Sequence, residues 1–177
     1  MKKLNYLLLI LVLIVFSFSC TSNTNGSNKN NKLSQQVESP SNTNSYEELD
    51  KLPHKYSSQQ AKEDGAVTNA QGRVSNIEKL DKFIEDVNNK KTKNGEKVRI
   101  VNYTVEGDAI IYDLSYDNQT IKLVVDGTRD KFTSPRDKKK MTYKVEEIYK
   151  QSGNDGTVYK IKTNENREIN LISIIDR

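Results

Sequence analysis

The chain has 177 residues, a formal net charge of +4, 34% hydrophobic residues and 29% charged residues. This length accommodates one folded domain with accessory segments but not two large domains. The small charge excess argues against nucleic acid as a partner, and the low hydrophobic share indicates a polar tract beside an ordinary core.

The N-terminus has the pattern of a secretory signal peptide. Two lysines precede an unbroken apolar run at residues 7–16, and a small residue stands before Cys20, the only cysteine. This arrangement resembles a bacterial lipoprotein signal and predicts a signal peptide at residues 1–19, with Cys20 lipidated, as by palmitate, and first in the mature protein. Two alternatives stay open: an uncleaved anchor helix, which needs about 17 residues, and a cleaved signal without lipid.

A polar tract follows the lipidation site. Residues 21–45 consist almost entirely of Ser, Thr, Asn, Gln, Lys and Gly, so they cannot bury enough apolar surface to offset their ordering entropy. The sequence predicts a disordered tether over residues 20–55, of which residues 46–55 are transitional and hold a solvated His54. A single α+β domain is predicted over residues 56–177.

Two helices are predicted at the start of this domain. Residues 57–65 have a serine N-cap and end at Gly65, which suits a left-handed cap. Ser75 and Glu78 form a capping-box pattern before a helix at residues 76–89. Its apolar stripe predicts packing on a sheet, with a helix of another protein as the alternative; the stripe comprises Ile77, Leu80, Phe83, Ile84 and Val87.

Residues 98–125 predict three antiparallel strands. Alternation places Ile110, Tyr112, Leu114 and Tyr116 on one face and a more polar row on the other. A glycine-containing turn at residues 106–108 and an Asp-Asn turn at residues 117–118 are too short for parallel crossovers.

Three more strands are predicted in the C-terminal part, at residues 141–150, 157–163 and 171–175. An Asn-Asp-Gly turn at residues 154–156 indicates a hairpin, and residues 145–149 could alternatively form a helical turn. The predicted fold class is α+β, with one amphipathic helix packed on a mainly antiparallel sheet of about five or six strands.

Several short motifs follow one another along residues 56–132. They are Ser57, Ala61-Lys62, Gly65, Val67, Gly72, Asn76, Leu80-Asp81-Lys82-Phe83, Arg99-Ile100-Val101, Tyr103-Thr104, Glu106-Gly107-Asp108, Ile111-Tyr112-Asp113-Leu114 and Thr128-Arg129-Asp130-Lys131-Phe132. In this order they resemble a family of small lipoproteins from Gram-positive bacteria that carry a domain of unknown function, DUF4362. The resemblance implies secretion and lipid anchoring and implies no activity.

No catalytic arrangement is recognisable in the sequence. The single histidine and the single cysteine leave no Ser/His/Asp or Cys/His set for the core, no usual zinc ligands and no internal disulfide. Five carboxylates near the predicted turns could either stabilise those turns or the solvated sheet edge, or take part in catalysis: Glu106, Asp108, Asp113, Asp126 and Asp130. We predict no catalytic residue, no metal and no cofactor.

One cluster has the composition of a recognition surface, with an arginine, further charges and an aromatic residue. The candidate interaction residues are Arg129, Asp130, Lys131 and Phe132, next to Asp126 and Thr128. The alternative is an Asp–Arg turn network that closes the sheet edge.

The sequence predicts a lipoprotein on the outer face of the bacterial cell membrane that binds or interacts there. Its expected partners are the membrane, through the N-terminal lipid, and an envelope protein or peptide, but not nucleic acid. Alternatives are a carboxylate-dependent envelope enzyme, an accessory subunit of one, and a sheet edge that captures extended peptides.

Overall fold

The computed structural model describes residues 45–175, so the predicted signal peptide, Cys20 and most of the predicted tether lie outside it. The described part contains one sheet of eight strands in the order β2-β1-β3-β4-β5-β6-β7-β8. The elements are α1 (Ser58–Glu63), β1 (Val67–Ala70), β2 (Arg73–Ser75), α2 (Ile77–Asn88), β3 (Lys97–Tyr103), β4 (Ala109–Asp117), β5 (Thr120–Asp126), β6 (Lys140–Gly153), β7 (Gly156–Thr163) and β8 (Glu168–Ile174). Neither of these helices has the length and apolar character needed to cross a membrane.

The predicted fold class is wrong, because the regular structure of residues 45–175 is mostly sheet. In this part of the chain two short helices accompany eight strands in a mixed sheet, instead of one helix on five or six mainly antiparallel strands. The additional strands are β1 and β2, and β1 pairs in parallel with β3, with Val67 beside Ile100. Strands of four and three residues are too short to show a period of two. They are joined at Gln71 and Gly72, whose φ angles are 55° and 85°, in a turn without the usual Asn-Gly signal.

The central meander of β3, β4 and β5 is antiparallel, as predicted. Leu114 lies opposite Val98 on one side and Leu123 on the other. The β4–β5 turn uses Asn118 and Gln119, at φ 47° and 61°, one residue later than predicted. The β3–β4 link also differs from the prediction, because Val105 lies in the turn and is 84% exposed.

The C-terminal hairpin forms where the Asn-Asp-Gly signal predicts it. Gly153 pairs with Gly156 across the turn, and β6 is a continuous strand of 14 residues. The alternative helical turn at residues 145–149 is therefore wrong. The register shifts between Val145 and Glu147, and such a bulge interrupts the alternation that a regular strand would show.

The start of α2 does not form the predicted capping box. Ser75 belongs to β2, and Asn76 is the N-cap residue in the left-handed region, at φ 57°. The Asn76 amide donates to the carbonyl oxygens of Ala66, at 2.8 Å, and Lys62, at 3.1 Å. Asparagine tolerates this backbone conformation better than most residues, and its side chain ties the start of α2 to α1 and to the residue before β1.

The apolar stripe of α2 packs on the meander, as predicted. Leu80, Phe83 and Ile84 are buried in one cluster with inward-facing residues of β3 to β8. Burial of each of these side chains contributes about 1.5–3 kcal/mol. The stripe is therefore not available to a helix of another protein.

The opposite face of the meander is also covered. Leu52 and Tyr56 pack with α1 against Val101 and Ile111 in a second apolar cluster. Residues 45–55, which the sequence places at the end of the tether, are therefore part of the folded body.

The sheet curls so that its last strand returns to the region of β1 and β3. The side-chain amide of Asn102 donates to the Leu171 carbonyl oxygen at 2.7 Å, and that of Asn69 donates to the Ser173 carbonyl oxygen at 3.1 Å. These side chains close the seam between strands that lie far apart in the sheet order.

We predict that Gly156→Ala destabilises the protein far more than Gly153→Ala. Gly156 has φ 126°, and a Cβ there would collide with the carbonyl oxygen of Ile174. The backbone strain alone costs about 1–3 kcal/mol. The control adds a Cβ that meets no described atom within 4 Å, so its effect should stay below about 1 kcal/mol. Chemical denaturation measures both, and equal unfolding free energies would contradict the turn geometry.

Candidate functional site

Arg129 and Asp126 form a buried ion pair where the chain leaves β5. Arg129 Nη1 donates to Asp126 Oδ2 at 2.6 Å, and the two side chains are 7% and 0% exposed. The hydroxyl and backbone N–H of Thr128 donate to the other carboxylate oxygen at 2.6 and 3.0 Å. Burial opposes ionisation of Asp126, but these hydrogen bonds from Thr128 and Arg129 outweigh it and lower the pKa of the carboxyl.

The other donors of Arg129 bind the main chain of an N-terminal segment. Nη2 donates to the carbonyl oxygens of Leu49, at 2.8 Å, and Leu52, at 3.2 Å, and Nε donates to that of Pro53, at 3.2 Å. We call residues 46–53 the strap. The Nε and Nη2 donors of Arg129 thus hold the strap on the domain.

Arg99 holds the other end of the strap. Its guanidinium makes two 2.7 Å hydrogen bonds to Asp113, its cross-strand neighbour, and donates to the Glu47 carbonyl oxygen at 2.8 Å. The Arg99 Cζ lies 5.1 Å from the centre of the Tyr46 ring, within cation–π range. Burial alone would lower the pKa of Arg99, but the hydrogen bonds and charge of Asp113 raise it. Sequence reasoning did not assign Arg99 a role; its signal was an Arg and an Asp facing each other on adjacent strands.

The loop after β5 is fixed by two further sets of bonds. Asp130 Oδ1 accepts the backbone N–H groups of Phe132, at 2.9 Å, and Thr133, at 3.1 Å. Lys131 donates its backbone N–H and its ammonium group to Asp108, at 3.0 and 3.1 Å. These bonds from Lys131 lower the pKa of Asp108. The loop is therefore anchored to the β3–β4 turn.

The four predicted interaction residues fall into two groups. Arg129 and Asp130 point inward and hold the backbone, which corresponds to the Asp–Arg turn network left open by the sequence. Lys131 and Phe132 face outward, with 54% of the Lys131 side chain and 74% of Phe132 exposed. Only the outer two can contact a partner directly.

These outward residues belong to a wider surface at one end of the sheet. We call the surface formed by residues 71–72, 104–108 and 127–133 the rim. Gln71 Nε2 donates to the Val105 carbonyl oxygen at 3.2 Å, which joins the β1–β2 turn to the β3–β4 turn. The rim presents Val105 and Phe132, 84% and 74% exposed, on backbone that hydrogen bonds already hold.

Four of the five carboxylates considered for catalysis are occupied by structural bonds, and the fifth, Glu106, is exposed in the β3–β4 turn. Asp113 binds Arg99, Asp126 binds Arg129, Asp108 binds Lys131, and Asp130 caps its own loop. Within residues 45–175 no group of three His, Cys, Asp or Glu side chains could hold a metal ion. His54 is exposed. Asp108, Asp113, Asp126 and Asp130 are therefore held in place by the fold.

We predict that Arg129→Ala lowers the free energy of unfolding by about 3–5 kcal/mol, because it leaves Asp126 buried without its partner. The strap should also become open to protease near Leu52. Arg136→Ala is the matched control, since Arg136 is exposed and makes no side-chain hydrogen bond to residues 45–175. Chemical denaturation of both variants measures the free energy of unfolding, and limited proteolysis measures cleavage of the strap. Similar stability and cleavage in the two variants would show that Arg129 does not hold the strap.

Comparison with known proteins identifies a family but no activity. The model of the family described as "Domain of unknown function (DUF4362)" matches residues 62–160, more than half of the chain. This match includes Arg99 and Arg129 but not the strap. No curated protein and no solved structure matches the chain. The chain belongs to the DUF4362 family.

Proposed function

We propose that the protein is a lipid-anchored binding module on the outer face of the bacterial cell membrane. In this proposal Cys20 carries the lipid, residues 21–45 span the distance to the domain, and the rim binds an envelope protein or peptide. The basic, apolar and small-residue order before Cys20 supports the anchor. In this proposal about 25 residues act as a flexible coil, as their composition predicts, which would hold the domain roughly 25–30 Å from the anchor.

The observation that carries the binding role is the placement of Phe132. A large aromatic side chain is 74% exposed at the tip of a loop, while the Asp130 and Lys131 bonds fix the backbone on both sides of it. Exposed aromatic residues are effective anchors at protein interfaces. A backbone that is already ordered loses little entropy when it binds.

The geometry favours the rim over a sheet edge as the contact surface. On β8, the carbonyl oxygens of Leu171 and Ser173 already accept the side-chain amides of Asn102 and Asn69. At the other edge β2 has three residues. Strand addition needs a row of free main-chain groups, and neither edge offers a long one.

The anchor predicts a specific covalent state of Cys20. Cells given an alkyne-labelled fatty acid should label the wild-type protein and not a Cys20→Ala variant. Two acyl signals are needed for stable anchoring, so the mature N-terminal peptide should begin at Cys20 and carry more than one chain in mass spectrometry. An intact Met1 or a free Cys20 thiol in the mature protein would contradict the anchor.

The binding role predicts a defined cross-link from the rim. A photoreactive amino acid at position 132 of the full-length protein should yield one dominant partner in intact cells. The same group at position 146 is the control, because Glu146 is exposed on β6 and lies outside the rim. The partner should also be lost when Val105→Ser is combined with the probe at position 132. The same products from positions 132 and 146 would refute the rim as a binding surface.

A further inference from the structure

A second surface lies at the opposite end of the meander from the rim. A cleft of about 670 Å³ separates α2 from the loop at residues 89–96 that leads into β3. Its volume is within the range of small-molecule sites, about 300–1,000 Å³. Five lysines line it: Lys79, Lys82, Lys91, Lys93 and Lys97.

The cleft carries an excess of positive charge. Asp86 and Glu96 are the carboxylates among its lining residues, so five lysines against two acids leave three positive charges. Lys82 pairs with Asp86, and Glu96 Oε2 accepts the backbone N–H of Lys93 at 3.1 Å. The excess is therefore located mainly on the loop side.

Three of the ammonium groups have no partner in the folded body. Lys79 Nζ donates to the Gly65 carbonyl oxygen at 2.7 Å. By contrast, the side chains of Lys91, Lys93 and Lys97 are exposed and form neither an ion pair nor a hydrogen bond with residues 45–175. Like charges that line one cleft repel one another, and a bound anion would relieve that repulsion.

The backbone that carries these lysines is held on two sides. The Lys91 N–H donates to the Asp86 carbonyl oxygen at 2.7 Å, and the Gly95 N–H donates to that of Tyr116 at 2.9 Å. Asn94 Oδ1 accepts the backbone N–H of Asn118 at 3.1 Å. The loop is thus fixed to α2, to β4 and to the β4–β5 turn, so anion binding does not require it to fold.

We propose that this cleft binds a small ligand that carries two or more phosphate groups. Lysine ammonium groups bind phosphate as point charges, and several phosphates are needed to engage Lys91, Lys93 and Lys97 together. Single-stranded nucleic acid fits the site poorly, because base stacking needs exposed aromatic rings. Phe83, the one aromatic lining residue, is only 2% exposed.

Tripolyphosphate is the probe that tests this proposal, by calorimetric titration of the full-length protein in detergent. We expect saturable binding that weakens with salt and falls at least tenfold in Lys91→Ala/Lys93→Ala. The matched control is Lys138→Ala/Lys139→Ala, which removes the same charge from exposed lysines beyond the other end of the strands. Its affinity should stay within twofold of wild type.

Four outcomes would overturn the proposal: no saturable binding, equal loss in both double variants, equal affinity for citrate, or tighter binding of single-stranded DNA. Both double variants should unfold at the wild-type denaturant concentration, since they alter only exposed side chains. The cross-link from position 132 should persist in Lys91→Ala/Lys93→Ala. The proposals for the cleft and for the rim are therefore tested independently of each other.

Discussion

Two buried guanidinium groups bound to main-chain carbonyl oxygens are the interaction on which the rest of the structure depends. Arg99 and Arg129 each pair with an aspartate of the sheet and direct their remaining donors to the strap. These acceptors compensate the desolvation of guanidinium groups that the strap shields from water. The strap in turn covers the apolar cluster around Val101 and Ile111. Charge, hydrogen bonding and apolar burial therefore depend on one another at this face.

The same interaction links the strap to the surface proposed for binding. Arg129 lies three residues before Phe132, and the intervening backbone is held by Asp130 and by the contact between Lys131 and Asp108. The inner half of the loop provides stability and the outer half provides exposed apolar surface. This division explains why a cluster with the composition of a recognition site contains an arginine that no partner can reach.

The strands that could be predicted from sequence are those long enough to show an alternation of apolar and polar residues, such as β4 with Leu114 facing the core. The short strands β1 and β2 could not, because their pairing depends on β3 and on a Gln-Gly turn. The strap was missed for another reason. Its hydrogen-bond acceptors are the main-chain carbonyl groups of Leu49 and Leu52. Every residue has such a group, so the sequence does not mark these two, and only the positions of the arginines in the fold identify them. The lysines of the loop at residues 89–96 and those of α2 line one cleft only in the fold, because they lie apart in the sequence.

The central claim is that the strap is part of the folded domain. The most direct measurement compares the denaturant midpoints of the full-length protein, a chain that begins at Ser45 and a chain that begins at Tyr56. The account predicts that the first two unfold at the same midpoint and that the third unfolds at a clearly lower one, with its arginines deprived of the strap carbonyl groups. Equal midpoints for all three would contradict the account.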